Sequence, residues 1–258
     1  LLTNYLRDAD EPADINSLSG GPIASARSVF DDNVGLEASD LTQDEIERLR
    51  PGVYEIVSRE HAESVARGED ADPPFLKVHD AYTYTVDGVP LLSKAATAGA
   101  IHLVRDPRDV AESFAHHGAR SVGKTVEAMN DISNAFVDKD SRLHNQLRQR
   151  LLTWSGHVLS WMDEPDLRVL TIRYEDMLDD TAAALSKMLE FSEIDPDPAR
   201  VAKAVEFSRF DRLHAQEAEA GFNERMPKSE SFFRQGKARG WQDSLASELL
   251  EQIEVSHG

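Results

Sequence analysis

The sequence predicts an α/β fold, a single domain with a mainly parallel central sheet flanked by helices, and three stretches carry that reading. IHLVRDPRDVAESFAHH, at 101–117, reads as a buried strand with Ile101, Leu103 and Val104, then a charged turn, then a helix that begins at Pro107. LRVLTIRYED, at 167–176, is a second apolar strand, followed by a helical pattern at 181–191. FLKVHD, at 75–80, opens as a strand after Pro73–Pro74. Strands that alternate with helical patterns are joined by crossovers and pair in parallel.

The remaining elements follow in order. LLTNYLRDAD reads as the second half of a helix, and residues 11–40, rich in Gly, Ser and Asp, as loop. TQDEIERLR is an amphipathic helix capped by Thr42 with Glu45 three residues on, and a second helix covers about 54–67. Helices are expected at 107–116, 123–137, 142–163, 198–207 and 243–254, with a polar region at 214–231. In the 142–163 helix Leu147, Leu151, Trp154, Val158 and Trp161 form one stripe, and His157 beside it reads as a packing histidine.

Composition narrows the function. The 258 residues bury a full core, and no linker or repeat divides them. No apolar run is long enough to span a bilayer and no secretory signal opens the sequence, so a cytoplasmic location is expected. Zero cysteines exclude disulfides and thiolate metal sites, and the histidines lack ligand spacing, so no metal is expected. A formal charge of −19 argues against nucleic acid as partner. It does not argue against one nucleotide, because basic residues concentrate at 105–108, 120–124 and 234–239.

The turn at 105–108 puts Arg105 and Arg108 beside a helix N-terminus, where planar donors and free N–H groups suit a phosphate. Judged alone, the stretch is equally compatible with local pairs, Arg105 with Asp106 and Arg108 with Asp109. On the 75–80 strand, alternation turns Lys77 and His79 to one face and Leu76 and Val78 into the core. Residues 118–125, GARSVGKT, match the phosphate-loop pattern GxxxxGK[ST]. A working phosphate loop follows a strand, whereas here a helix precedes it and Gly118 reads as that helix's stop, so the match is assigned to a connecting loop.

Arg105 followed by Ser113, with the later stretches TIRYEDML and FFRQGKARGW in the same order and spacing, resembles the cytosolic-type, bacterial-like sulfotransferases that use 3′-phosphoadenosine 5′-phosphosulfate, PAPS. The resemblance covers most of 75–245 and implies the P-loop NTPase-like sulfotransferase fold. It implies that Arg105, Ser113, Arg234, Gln235 and Gly236 hold the 3′-phosphate and that Tyr174, Ser208 and Phe210 lie near the adenine. It also implies that His79 takes the acceptor's proton while Lys77 meets the sulfonate. Gln235 departs from the family's lysine, Arg239 stands where a glycine is usual, and Gly240 replaces an acid. The family's PKSGTTW-type loop falls upstream of residue 1 in this numbering, and omission of an N-terminal segment is the expected reason. The acceptor is a small molecule with a hydroxyl or amine, with His116, His117 and the loop 11–40 as candidates for its side of the site. Two other readings remain: an ATP-dependent kinase using 118–125, and a non-catalytic interaction module.

Overall fold

The structure, a computed structural model, describes residues 1–18, 23–69, 75–138, 144–226, 229 and 231–258. Its helices in chain order are α1 (Leu2–Arg7), α2 (Arg27–Val34), α3 (Gln43–Ala66), α4 (Pro107–His117), α5 (Val122–Met129) and α6 (Trp154–Met162). They continue with α7 (Tyr174–Asp179), α8 (Thr181–Phe191), α9 (Pro198–Phe207), α10 (Phe210–Ala220), α11 (Trp241–Ser244) and α12 (Ser247–His257). The strands are β1 (Ala100–Val104), β2 (Ala135–Phe136), β3 (Gln149–Arg150) and β4 (Val169–Arg173). β1 and β4 form a parallel pair flanked by helices, and β2 and β3 an antiparallel ribbon in which Phe136 faces Gln149. The chain divides into two compact units, Leu1–Ser19 with Ile101–Asn130 and Leu170–Gly258, and Gly20–Ala100 with Asp131–Val169.

The first unit is built on helices with strong local start signals. Asp180 and Asp197 cap α8 and α9 by accepting the Ala183 and Arg200 N–H groups, and Pro198 opens α9. Tyr5 of α1 packs with Leu185, Leu189, Val201 and Ala204, and a second cluster joins Ile172, Ala184 and Met188 to Ile101 and Leu170. Each buried leucine contributes roughly 1.5–3 kcal/mol, enough to hold a six-residue α1 that is too short to persist alone. β1 departs from the expected apolar run, because His102 is buried and Leu103, on the opposite face of the strand, is 56% exposed.

In the second unit the expected loop 11–40 carries α2 and a single turn at Ala38–Asp40, and its residues 19–22 lie outside the described ones. Phe30 of α2 packs on Ile46, Val53 and Leu147. The two helices expected around 42–67 are one helix, α3, despite Pro51 within it. Arg50, just before the proline, donates from Nε to the Tyr54 hydroxyl just after it at 2.8 Å, and both are buried. Pro51 has no N–H to give to the Glu47 carbonyl, a loss that costs about 3 kcal/mol in an unsupported helix.

The expected helix 142–163 is the largest correction; its residues 142–143 lie outside the described ones, and the helix proper begins only at Trp154, capped by Thr153. Between 145 and 151 the backbone bonds elsewhere: Leu147 N–H to Ser25 O, Arg27 N–H to Asn145 O, and Leu151 N–H to Asn134 O. α5 ends at Met129 instead of 137, because the Asp131 carboxylate accepts the Ser133 N–H and turns the chain. The polar region at 214–231 contains most of α10, and the final helix is split into α11 and α12. Residues 75–80 form no strand among the described residues, and Leu76 is 40% exposed where core was expected; Val78 does pack on the core, and Pro73–Pro74 lie outside the described residues.

Candidate active site

In the first unit, Arg105 leaves the end of β1 and the Asp106 carboxylate caps α4 through the Arg108 N–H. The local pairing differs from that expected: Arg108 binds Asp106 at 2.7 Å and Glu254 at 3.2 Å, while Arg105 approaches Asp109 only to 3.9 Å. Burial alone would raise the Asp106 carboxyl, but the hydrogen bonds from Arg108 hold it below the ordinary range. Glu175, at the start of α7, accepts the Asp106 N–H at 2.9 Å and ties this turn to the end of β4.

Arg105 lies over the Tyr174 ring, 4.7 Å from its centroid, and donates to Lys237 O at 3.2 Å. Its Nε is buried without a hydrogen-bond partner among the described residues. Burial pushes the Tyr174 hydroxyl up. Asp109, which is 3% exposed, accepts the Arg239 N–H at 2.6 Å and the Trp241 N–H at 3.1 Å, and Arg108 stacks on the Trp241 ring at 4.0 Å. One carboxylate on α4 thus fastens the basic loop beside Arg105. Ser113 sits one turn beyond Asp109 on the same face of α4 and is half-buried.

Gly236 has φ +60, and an added Cβ would lie 2.3 Å from Phe210 Cδ2, so the loop passes against the face of that ring. Phe210 opens α10 and also meets Phe233 edge-on at 6.5 Å. Ser208, which caps α9, accepts from Asn4 Nδ2 at 3.0 Å, so α1 sets its hydroxyl. Arg234 and Gln235 are exposed. Lys237 directs its ammonium toward the exposed Asp243, 3.8 Å away. Arg239 has φ 63, in the left-handed region that glycine occupies without strain. Glu217 of α10 accepts the Phe232 and Phe233 N–H groups at 2.7 and 2.9 Å, and His117 meets Phe232 edge-on at 5.7 Å. His116 Nε2 lies 3.0 Å from Ser231 O.

GARSVGKT is laid out as a helix end and a helix start. Gly118 ends α4, Ser121 caps α5, and Lys124 and Thr125 lie within α5. Thr125 is fully buried and its hydroxyl accepts from Arg120 Nε, so it is not presented to a metal-bound phosphate.

In the second unit, His79 is half-buried and Lys77 is exposed, two residues apart in a segment without regular structure. The Lys77 carbonyl accepts the Ala24 N–H at 2.9 Å. Asp80 is clamped by two bonds from the buried Arg50 guanidinium, at 3.0 and 2.9 Å, and its carbonyl accepts from Trp161 Nε1 at 3.2 Å. His79 Nδ1 lies 3.0 Å from Gln149 Oε1, and the ring meets Phe136 edge-on at 5.6 Å. Neither neighbour stands out in the sequence, since both belong to stretches expected to be helical. His157 bonds Leu151 O through Nδ1 at 3.1 Å and packs as expected.

A parallel pair flanked by helices, with a charged turn at the end of β1, defines an α/β protein of the kind whose ligands gather at the carboxyl ends of strands. The chain belongs to the sulfotransferase domain family, whose family model matches residues 36–256. Luciferin sulfotransferase of Photinus pyralis is 22% identical over 184 residues, 68% of this chain and 47% of that protein, so the chain spans about half the length of this curated relative. Mouse sulfotransferase SULT7A1 complexed with PAP aligns with a TM-score of 0.52 at 21% identity, over 70% of this chain and 63% of that one. Retinol dehydratase in complex with androsterone and inactive cofactor PAP aligns with a TM-score of 0.50 at 18% identity, over 98% of this chain and 83% of that one. At these identities the two solved structures show the fold.

Proposed function

We infer that this protein is a single sulfotransferase domain that moves a sulfonate group from PAPS to the hydroxyl or amine of a small-molecule acceptor, and that it works in the cytoplasm. The observation that carries the reading is Arg105. Its guanidinium is stacked on Tyr174 beside a loop fastened by Asp109, with a buried Nε that has no partner among the described residues. Such a donor is costly to leave unsatisfied and suits a phosphate oxygen.

The residues present fit the nucleotide. Arg105, Ser113, Arg234, Gln235 and the Gly236 N–H would hold its 3′-phosphate, which distinguishes it from ATP. Tyr174, Ser208 and Phe210 would take the adenine end. PAPS, when bound, supplies the sulfonate and leaves as adenosine 3′,5′-bisphosphate. His79 accepts the acceptor's proton at Nε2, and the Lys77 ammonium offsets negative charge on the transferring group. Positioning and charge neutralisation carry most of such a transfer, as in phosphoryl transfer.

Calorimetric titration with adenosine 3′,5′-bisphosphate, beside ADP with magnesium, tests the reading. Binding of the bisphosphate without magnesium is expected. Preference for ADP with magnesium would move the nucleotide to 118–125, and binding of neither would leave a non-catalytic interaction module. His79→Ala should lower turnover by about 10²- to 10⁴-fold. Near wild-type turnover across pH would make His79 a bystander.

A further inference from the structure

We propose that Gln149 is a positioning residue that sets the tautomer of His79, holding the proton on Nδ1 so that Nε2 carries the lone pair. The inference rests on the reading of His79 as the base, and deepens it by naming what prepares the imidazole.

The orientation of the Gln149 amide follows from its other partners. Its Nε2 lies 3.2 Å from Leu147 O and 2.9 Å from Gln146 Oε1. A backbone carbonyl only accepts, so the amide atom facing Leu147 O is the NH2 group. The atom facing His79 is therefore Oε1, which also only accepts, and Nδ1 at 3.0 Å is obliged to donate. Gln149 is 0% exposed, so the amide has little freedom to turn over.

The support is rigid for a reason set by topology. Gln149 of β3 pairs directly with Phe136 of β2, so one cross-strand couple supplies both the hydrogen bond and the edge-on ring contact to His79. The next residue along, Asp80, is clamped by Arg50 within the same unit. The imidazole is thus held at Nδ1 and by the Phe136 ring, next to a clamped residue in the chain. A base with the wrong nitrogen protonated cannot take a proton from the acceptor, and partners that orient a histidine are worth a substantial part of its effect.

The test is long-range proton–nitrogen correlation spectroscopy on full-length protein labelled with nitrogen-15 histidine, with the His79 signals assigned by their loss in His79→Gln. Nδ1 is expected at a protonated shift and Nε2 at an unprotonated one, and the Nε2–H tautomer in the wild type would overturn the proposal. Gln149→Leu should abolish this preference and lower turnover of the probe acceptor 4-nitrophenol about 10- to 10²-fold with an unchanged KM for PAPS. An unchanged tautomer in that variant also overturns it. Should Gln149→Leu not fold, the wild-type spectrum still decides. Gln149→Glu then adds a second readout, since a carboxylate at Nδ1 should move the His79 titration to higher pH. Fast turnover by His79→Ala would remove the base reading and leave the tautomer result standing.

Discussion

Gly236→Ala bears directly on the proposal that the basic loop grips the nucleotide. At φ +60 an alanine pays the left-handed penalty of about 1–2 kcal/mol. Its Cβ would stand 2.3, 2.5 and 2.8 Å from Phe210 Cδ2, Cγ and Cε2, where carbon atoms in contact rest at about 3.5–4.0 Å. Opening more than an ångström against a ring costs a further 1–3 kcal/mol or so, as overpacking does elsewhere. The sum is about 2–5 kcal/mol if Phe210 and the loop keep their places. Residues 234–237 are exposed, so the loop shifts before the unit unfolds. The cost then falls on the bound geometry, and at about 1.4 kcal/mol per tenfold it weakens adenosine 3′,5′-bisphosphate by roughly 30-fold to several thousand-fold. Calorimetric titration read beside thermal melting measures both parts. A variant that binds the bisphosphate within twofold of wild type, at an unchanged melting temperature, would refute the argument that this close approach shapes the nucleotide grip.

Three further outcomes are expected. Asp109→Ala removes a buried acceptor from the Arg239 and Trp241 N–H groups and should cost about 2–4 kcal/mol in urea denaturation; a loss under about 0.5 kcal/mol would mean that the carboxylate does not fasten the loop. Arg239→Gly relieves a left-handed residue but adds unfolded-state freedom, so melting should show a change of about 0 to 1 kcal/mol toward stability, whereas Arg239→Val should be destabilising. Burial lowers the His157 imidazole below its ordinary 6.5, against a smaller opposite effect from its bond to Leu151 O. The unfolded chain therefore takes up the proton first. The stabilising contribution of neutral His157 is complete above about 6.5 and is lost as pH falls through the folded-state value. His157→Gln should flatten the stability profile as pH falls below about 6.5, and superimposable profiles would show that the burial is not felt.

The turn and loop proposed for the nucleotide were legible as local chemistry because their residues are close in sequence and strongly charged. Arg105, Asp106, Pro107 and Asp109 form one turn, and the loop 234–241 is a single segment. The pairing within that turn was not legible, since Asp109 is engaged by the N–H groups of a segment about 130 residues away while Arg108 binds Asp106 and Glu254. His79 and Lys77 were visible as a pair, but the expected strand and the inward Leu76 were not realised.

What the sequence determined by itself are the elements whose ends rest on local signals. α4, α8 and α9 begin where Asp106, Asp180 and Asp197 accept an N–H two or three residues on, and α8 and α9 span 181–191 and 198–207 as their periodicity predicts. The capping box of Thr42 and Glu45 likewise marks the start of α3. Tertiary structure decided the rest, wherever backbone donors found partners far along the chain. The apolar stripe at 142–163 has helical spacing, yet residues 145–151 give their hydrogen bonds to 25–27 and 134. α3 runs through Pro51, with the buried Arg50 beside it bonded to Asp80, thirty residues on. The same long-range pairing sets Gln149 opposite Phe136 and brings both to His79, a juxtaposition that no periodicity encodes because it depends on which distant carbonyl each N–H group meets.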